Sequence, residues 1–229
     1  MIENAQELLK KGEIFDDLQL NDIYIIQNRS KYCFSVDSVL LANFAKIGHK
    51  DYVVDLCSGS GVVSILCHEK YHPKRIVGVE IDKELWDMST RTLRANNIND
   101  VEFLNIDLKN SPDKLGCGKV DKIVCNPPYY PLPNNVENIN KKYLSTKYEQ
   151  KTNIDEVMTV CAKLLKNSGK LFISFPAERL QILLSCANKN NLACKTIKFV
   201  CAGDKDCHLI LAEFFKGGGE GVKISFETI

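Results

Sequence analysis

The stretch Val53-Val54-Asp55-Leu56-Cys57-Ser58-Gly59-Ser60-Gly61 decides the fold. It opens as an apolar strand, closes on small residues and glycines, and is followed by a helical pattern from Gly61 to Lys70. Glycines there let the chain turn sharply and let a ligand approach the backbone. Gly-x-Gly alone also describes an ordinary strand-to-helix turn, so the neighbouring carboxylates carry the reading. Glu80 ends the next apolar strand, Ile76-Val77-Gly78-Val79, where a carboxylate is placed to accept hydrogen bonds from two ribose hydroxyls. Asp107 follows Phe103-Leu104-Asn105-Ile106 and is placed either to accept from an adenine amino group or to cap the next turn. A nicotinamide-dinucleotide fingerprint needs a third glycine where Ser64 stands, and it normally has no leading acid at the position of Asp55.

Working outward, strands at 52–56, 75–80, 101–106, 120–125 and 170–175 alternate with helices at 61–70, 83–96, 154–166 and 177–189. In the second of these helices Leu85, Met88, Leu93 and Trp86 face inward. Such alternation predicts a mainly parallel sheet covered on both faces. Two last strands, 192–202 and 207–216, are separated by Gly203-Asp204-Lys205-Asp206 and suit an antiparallel hairpin, with Gly217-Gly218-Gly219 ending the second. The sum is a seven-stranded sheet. Ahead of it, Leu18-Gln19-Leu20 and Ile23-Tyr24-Ile25-Ile26 flank the turn pair Asn21-Asp22. Residues 36–46 have helical spacing, with Ser35 or Asp37 as cap. The whole chain, 1–229, is expected to be one domain with 1–46 as an N-terminal hairpin-and-helix extension.

Asn126-Pro127-Pro128-Tyr129 stands where the fourth strand runs out, the edge at which open α/β sheets bind ligands. Asn and Pro also terminate strands for purely structural reasons. The chemistry favours a reactive role. An exocyclic amino nitrogen is planar because its lone pair is delocalised, and to attack an electrophilic methyl it must turn that pair outward. The Asn126 side-chain oxygen and the Pro127 carbonyl are placed to accept its two N–H bonds and stabilise developing charge. Pro127 and Pro128 stiffen an acceptor-rich turn, and Tyr129 offers a face for base stacking, worth about 1–3 kcal/mol per base. Alignment alone supplies roughly 7–11 kcal/mol of such a barrier, so no strong general base is needed. The polar stretch 130–153 follows directly and reads as a substrate-covering loop.

Bulk properties narrow the field. Thirty basic against 29 acidic residues leave a net charge of +1, so any nucleic-acid contact is local. Candidates are Lys141, Lys142, Lys147 and Lys151 in the long stretch and Lys195, Lys198 and Lys205 near the end. None of the ten Cys forms a Cys-x-x-Cys pair, and several lie in apolar runs, as Cys125 does, which reads as buried free thiols of a cytoplasmic protein without a metal. The first residues lack a signal-peptide core, and no apolar run approaches the about 18 residues a membrane span needs.

Asp55-x-x-x-Gly59-x-Gly61 resembles motif I of class I methyltransferases, and the Asn126 turn resembles motif IV of the amino-methyltransferases among them. Ile25-Ile26-Gln27-Asn28, Tyr32-Cys33-Phe34-Ser35-Val36-Asp37-Ser38-Val39-Leu40-Leu41-Ala42, Val77-Gly78-Val79-Glu80-Ile81 and the continuation Tyr129-Tyr130 are similar to the bacterial valine-tRNA adenine-37 N6-methyltransferase family. That resemblance, over about residues 13–215, implies a Rossmann-like fold and S-adenosylmethionine as cofactor, with S-adenosylhomocysteine as product. It assigns Asp55, Cys57, Ser58, Gly59, Gly61, Glu80, Ile81, Asp107, Leu108 and Asn126 to the cofactor. Asn126, Pro127, Pro128 and Tyr129 fall to catalysis, and Tyr130, Lys141, Lys142 and Lys147 to RNA. The implied partner is a tRNA whose anticodon-loop base is splayed out. The sequence does not fix the oligomeric state, a monomer being slightly favoured. The chain departs from the family at Lys147-Tyr148-Glu149, where members carry Arg-His-Glu. Competing readings are a guanine-N2 ribosomal RNA enzyme and a glutamine-N5 release-factor enzyme, the latter usually bearing a larger N-terminal helical domain. A catalytically inactive RNA-binding adaptor is the non-enzymatic alternative.

Overall fold

The computed structural model describes residues 4–29, 33–129, 152–203 and 206–229. An antiparallel pair, β1 (Ile14–Asp17) and β2 (Tyr24–Gln27), comes first, then α1 (Val36–Phe44). The alternating region runs β3 (Tyr52–Leu56), α2 (Val62–Tyr71), β4 (Arg75–Glu80), α3 (Lys83–Ala95), β5 (Val101–Asn105), α4 (Ser111–Leu115) and β6 (Val120–Cys125). After the undescribed stretch come α5 (Ile154–Leu164), β7 (Leu165–Pro176), α6 (Leu180–Lys189), β8 (Leu192–Cys201), β9 (Cys207–Lys216) and β10 (Lys223–Thr228).

Eight strands, not seven, form the main sheet, in the order β10-β8-β9-β7-β6-β3-β4-β5. Only β9 runs against the rest, because it is antiparallel to both β7 and β8. The added strand β10 lies parallel to β8 at the edge. Sequence reading ended the sheet at the Gly217-Gly218-Gly219 run, but Gly217 takes φ 70 and turns the chain back rather than releasing it. The N-terminal hairpin is also shifted. Leu18-Gln19-Leu20 belongs to the turn, with Gln19, Asn21 and Asp22 all at positive φ, and Ile14–Asp17 is the strand instead.

Strand alternation splits the core into two layers. Val54, Ile123, Leu171 and Ile173 face Val157, Met158, Cys161 and Leu164 of α5 and Leu183 of α6. Val53, Val124 and Phe172 face Leu41 of α1, Ile65 of α2 and Leu93 of α3. Leu85 and Met88 instead grip Ile26 of the hairpin, and the half-buried Trp86 donates its indole N–H to the Phe103 carbonyl at 2.9 Å. Arg91 of α3 locks the N-terminal segment with a bidentate pair to Glu13 at 2.6 and 2.8 Å and two further bonds to Asp87. The thiols of Cys67, Cys125 and Cys161 are buried and free as expected, whereas Cys201 and Cys207 are joined in a disulfide across the β8–β9 turn. The expected pattern of free thiols is corrected there, because antiparallel pairing sets those two residues opposite one another.

Candidate active site

Sheet order reverses at β3, with β4 and β5 to one side and β6 and β7 to the other. Leu56 pairs with Val79 on one neighbour and Cys125 on the other, so the loop after β3 sits between Glu80 and Asn126. Such a switch point opens a crevice at the carboxyl ends of the strands. An open cleft lies here, walled by Cys57, Gly59, Glu80, Ile81, Asp107, Leu108, Asn126 and Pro128. Sequence reasoning did not include Asp82, Leu85, Ile106 or Thr152, which also face it. A smaller hollow adjoins it, where Phe34 and Ser38 close over Cys57, Ser58, Gly59 and Asn126.

The loop is shaped by alternation. Cys57, Gly59 and Gly61 take φ 61, 56 and 88, so every second residue is left-handed. At Gly61 there is a second constraint, since a Cβ would come within 2.6 Å of the Phe103 ring. The Gly59 N–H donates to Glu80 Oε2 at 2.8 Å, and the Asp82 N–H donates to Oε1 at 2.7 Å. Two backbone donors thus orient a buried carboxylate whose remaining lone pairs are available to hydroxyls of a ligand. Burial raises the Glu80 carboxyl above its ordinary value, against the pull of those donors. Asp82 goes on to cap α3 through the Glu84 and Leu85 N–H groups.

Asp55 and Gly61 do not line the cleft; they act behind it. Asp55 Oδ2 accepts from both the N–H and the hydroxyl of Ser64, at 3.0 and 2.7 Å, so the residue that breaks the dinucleotide fingerprint is the one that holds the acid. Burial pushes the Asp55 carboxyl up to about 7, partly offset by Ser64. Asp55 Oδ1 and the buried Ser58 hydroxyl have no partner among the described residues. Asp107 caps the short 3₁₀ turn Leu108–Asn110 through the Lys109 N–H, 2.9 Å, while still standing in the cleft wall.

Asn126 is held from two sides. Its Nδ2 donates to Ser38 Oγ of α1 at 3.1 Å, and its Oδ1 accepts from Ser174 Oγ of β7 at 2.7 Å. The Tyr129 hydroxyl also donates to that oxygen and lies 3.0 Å from Ser174 Oγ. Tyr129 therefore turns inward, its ring edge-on to Phe175 at 6.0 Å, rather than standing out as a stacking platform. Arg179 donates to the Tyr129 carbonyl. Pro127 is buried and Pro128 half-buried. Ser38 and Ser174 escaped sequence reasoning, although a lone hydroxyl in the apolar run Leu171-Phe172-Ile173-Ser174-Phe175 was an available signal.

The N-terminal residues reach this site. Gln27 Nε2 donates to Ser60 Oγ at 3.1 Å, and Gln27 Oε1 accepts from the Phe34 N–H at 3.1 Å. Two expected RNA-facing lysines are otherwise engaged. Lys195 donates to the carbonyls of Gly219 and Glu220, both at 2.7 Å, and Lys198 pairs with Glu227 at 2.8 Å. Tyr130, Lys141, Lys142, Lys147, Lys151 and Lys205 lie outside the described residues. Among the described residues no group of three or more His, Cys, Asp or Glu is placed to hold a metal, and no helix is long and apolar enough to cross a membrane.

Residues 35–200 match the methyltransferase small domain family, and the chain belongs to it. That family uses S-adenosylmethionine, and the site fits this group: an oriented buried carboxylate, an apolar-walled cleft and orphaned polar atoms under the glycine loop. A tRNA1(Val) (adenine(37)-N6)-methyltransferase of Pseudoalteromonas translucida is 21% identical over 164 residues, covering 71% of this chain and 68% of that protein. A putative protein N5-glutamine methyltransferase of Methanocaldococcus jannaschii is 36% identical over 96 residues, 42% of this chain and 45% of that one. Among solved structures, M. jannaschii TYW2 in complex with AdoMet superposes with a TM-score of 0.64 at 13% identity, covering 91% of this chain and 88% of that one, which shows the shared fold.

Proposed function

We propose that this chain transfers a methyl group from S-adenosylmethionine to N6 of adenine 37 in the anticodon loop of a valine tRNA. The observation that carries the reading is the Asn126 side chain, clamped between Ser38 and Ser174 at the mouth of the cleft. Clamping by Ser38 presents Oδ1, the amide acceptor, toward the place where an amino group would enter. That group displaces the Tyr129 hydroxyl from Oδ1 and gives its second N–H to the Pro127 carbonyl. Its lone pair then points into the cleft. Tyr129, swung outward, becomes the stacking face for the extruded base.

Bound S-adenosylmethionine supplies an electrophilic methyl on a positively charged sulfur. The chain binds and orients. Glu80 would accept the ribose hydroxyls, Ile81 and Leu108 would line the adenine's place, and Asp107 would accept from its amino group. Cys57, Ser58 and Gly59 present the loop to the methionine portion, while Asp55 and Gly61 hold that loop from behind. The names of the relatives support tRNA as substrate. Lys141, Lys142 and Lys147, with Tyr130, are assigned to the RNA, in a single methyltransferase domain spanning 1–229 that works in the cytoplasm.

The test is transfer of labelled methyl to total unmodified tRNA followed by nucleoside analysis. N6-methyladenosine is expected. Methylguanosine, or label in protein alone, as the glutamine-N5 relative would produce, overturns the assignment.

A further inference from the structure

β10 is a sheet edge with unusual self-complementarity. Val222, Ile224, Phe226 and Ile229 are 47%, 60%, 72% and 51% exposed, four of the seven exposed large apolar side chains among the described residues, all on one short segment. Natural edges are usually blunted by short length, lysine and other charges, proline or bulges, and the charges here, Lys223 and Glu227, are of opposite sign. This one has no proline, and it pairs with β8 without a register shift from Lys223↔Thr196 to Thr228↔Cys201.

Backbone geometry says which groups face outward. The Ile229 N–H donates to Cys201 and the Ile229 carbonyl accepts from Gly203, so Ile229 turns both its backbone groups toward β8. Alternation along the strand turns Lys223, Ser225 and Glu227 the same way. The N–H and C=O groups of Ile224, Phe226 and Thr228 therefore point away from the sheet.

We infer that β10 pairs antiparallel with β10 of a second copy of this chain, about a twofold axis through Ser225. In that register Ile224 and Phe226 of one copy exchange backbone hydrogen bonds with Phe226 and Ile224 of the other. Lys223 falls opposite Glu227 of the partner copy, at the positions where antiparallel side chains stand closest. Aromatic–aliphatic and opposite-charge cross-strand pairs both favour that register. Glu227 then lies between Lys198 of its own chain, at 2.8 Å, and Lys223 of the second copy. The contact is isologous, so it closes at a dimer and consumes the edge. It lies at the opposite end of the sheet's strand order from β4 and β5, away from the cleft.

Sedimentation velocity over a concentration series tests this with three proteins. The natural chain should dimerise. Lys223→Glu and Glu227→Lys, each alone, should weaken the dimer about tenfold or more, because like charges then oppose one another twice. Mixing the two variants should restore it, since the heterodimer pairs opposite charges at both positions. Circular dichroism confirms that each variant is folded. A natural chain that stays monomeric up to about 100 μM, a dimer indifferent to both substitutions, or a mixture that remains monomeric overturns the proposal.

Discussion

The two halves of the cleft are built differently. On the cofactor side the anchoring bonds are local: Asp55 to Ser64, Gly59 to Glu80 and Glu80 to Asp82 span 9, 21 and 2 residues. On the acceptor side Asn126 is tied to Ser38 and Ser174 across 88 and 48 residues, and Arg179 reaches back 50 to Tyr129. Rigid local geometry suits a group common to a whole family. On the proposed function, long-range clamps would let neighbouring elements retune the acceptor pocket without disturbing the methyl-donor side.

The sharpest way to break this division is a pair of substitutions read by two assays. Asn126→Ala should lower turnover about 10²–10³-fold, the loss typical of one preorganised hydrogen-bonding group, while cofactor affinity by calorimetry moves less than about tenfold. Glu80→Gln should do the reverse. It sets an amide N–H₂ against a backbone donor and removes a charged acceptor, costing roughly 1.5–3 kcal/mol, or about ten- to a hundredfold in cofactor affinity. Equal losses in both assays for either variant would dissolve the distinction between the halves.

A smaller effect is expected at Ser174. Removing its hydroxyl leaves Asn126 Oδ1 in contact with Tyr129 but loosens its orientation. Ser174→Ala should lower kcat by about tenfold, the worth of one net hydrogen bond, with cofactor affinity unchanged. A parallel loss of cofactor affinity would show Ser174 to be merely structural.

A further effect, on stability rather than turnover, concerns pH. The Asp55 carboxyl is raised from 3.8 to about 7 by burial, so the fold favours its protonated form. The stability this group contributes is complete below its unfolded value and is lost as pH rises through about 7. Without cofactor, the Tm of the natural chain should therefore fall from pH 4 to pH 8 more steeply than that of Asp55→Asn. Each kcal/mol corresponds to about 2–4 °C in a chain of this size. Identical slopes would remove Asp55 as the cause.

Legibility in the sequence follows the same division. The loop from Asp55 to Gly61, Glu80 and the Asn126 turn were readable because strand, glycine and acid fall in a short, ordered pattern. Asp107 was left between ligand and cap, and the structure gives it the capping bond together with a place in the cleft wall. Ser38 stands out in no local pattern; its bond to Asn126 exists because α1 packs across β7 and β9, a contact no local pattern encodes. The N-terminal signature gains a physical reason in Gln27, which ties Ser60 of the glycine loop to Phe34.

By itself the amino-acid sequence determined the alternation of strands and helices, the parallel sheet and the residues that meet at both ends of the cleft. Periodicity and turn residues act over a few positions, and that range suffices for those features. Only the tertiary structure decided that Tyr129 folds inward onto Asn126, that two hydroxyls from distant elements clamp the amide, that Lys195 and Lys198 are engaged within the chain, and that an eighth strand extends the sheet. Each depends on which surfaces meet once the sheet is assembled, and side-chain hydrogen bonds between remote segments leave no periodic trace along the chain.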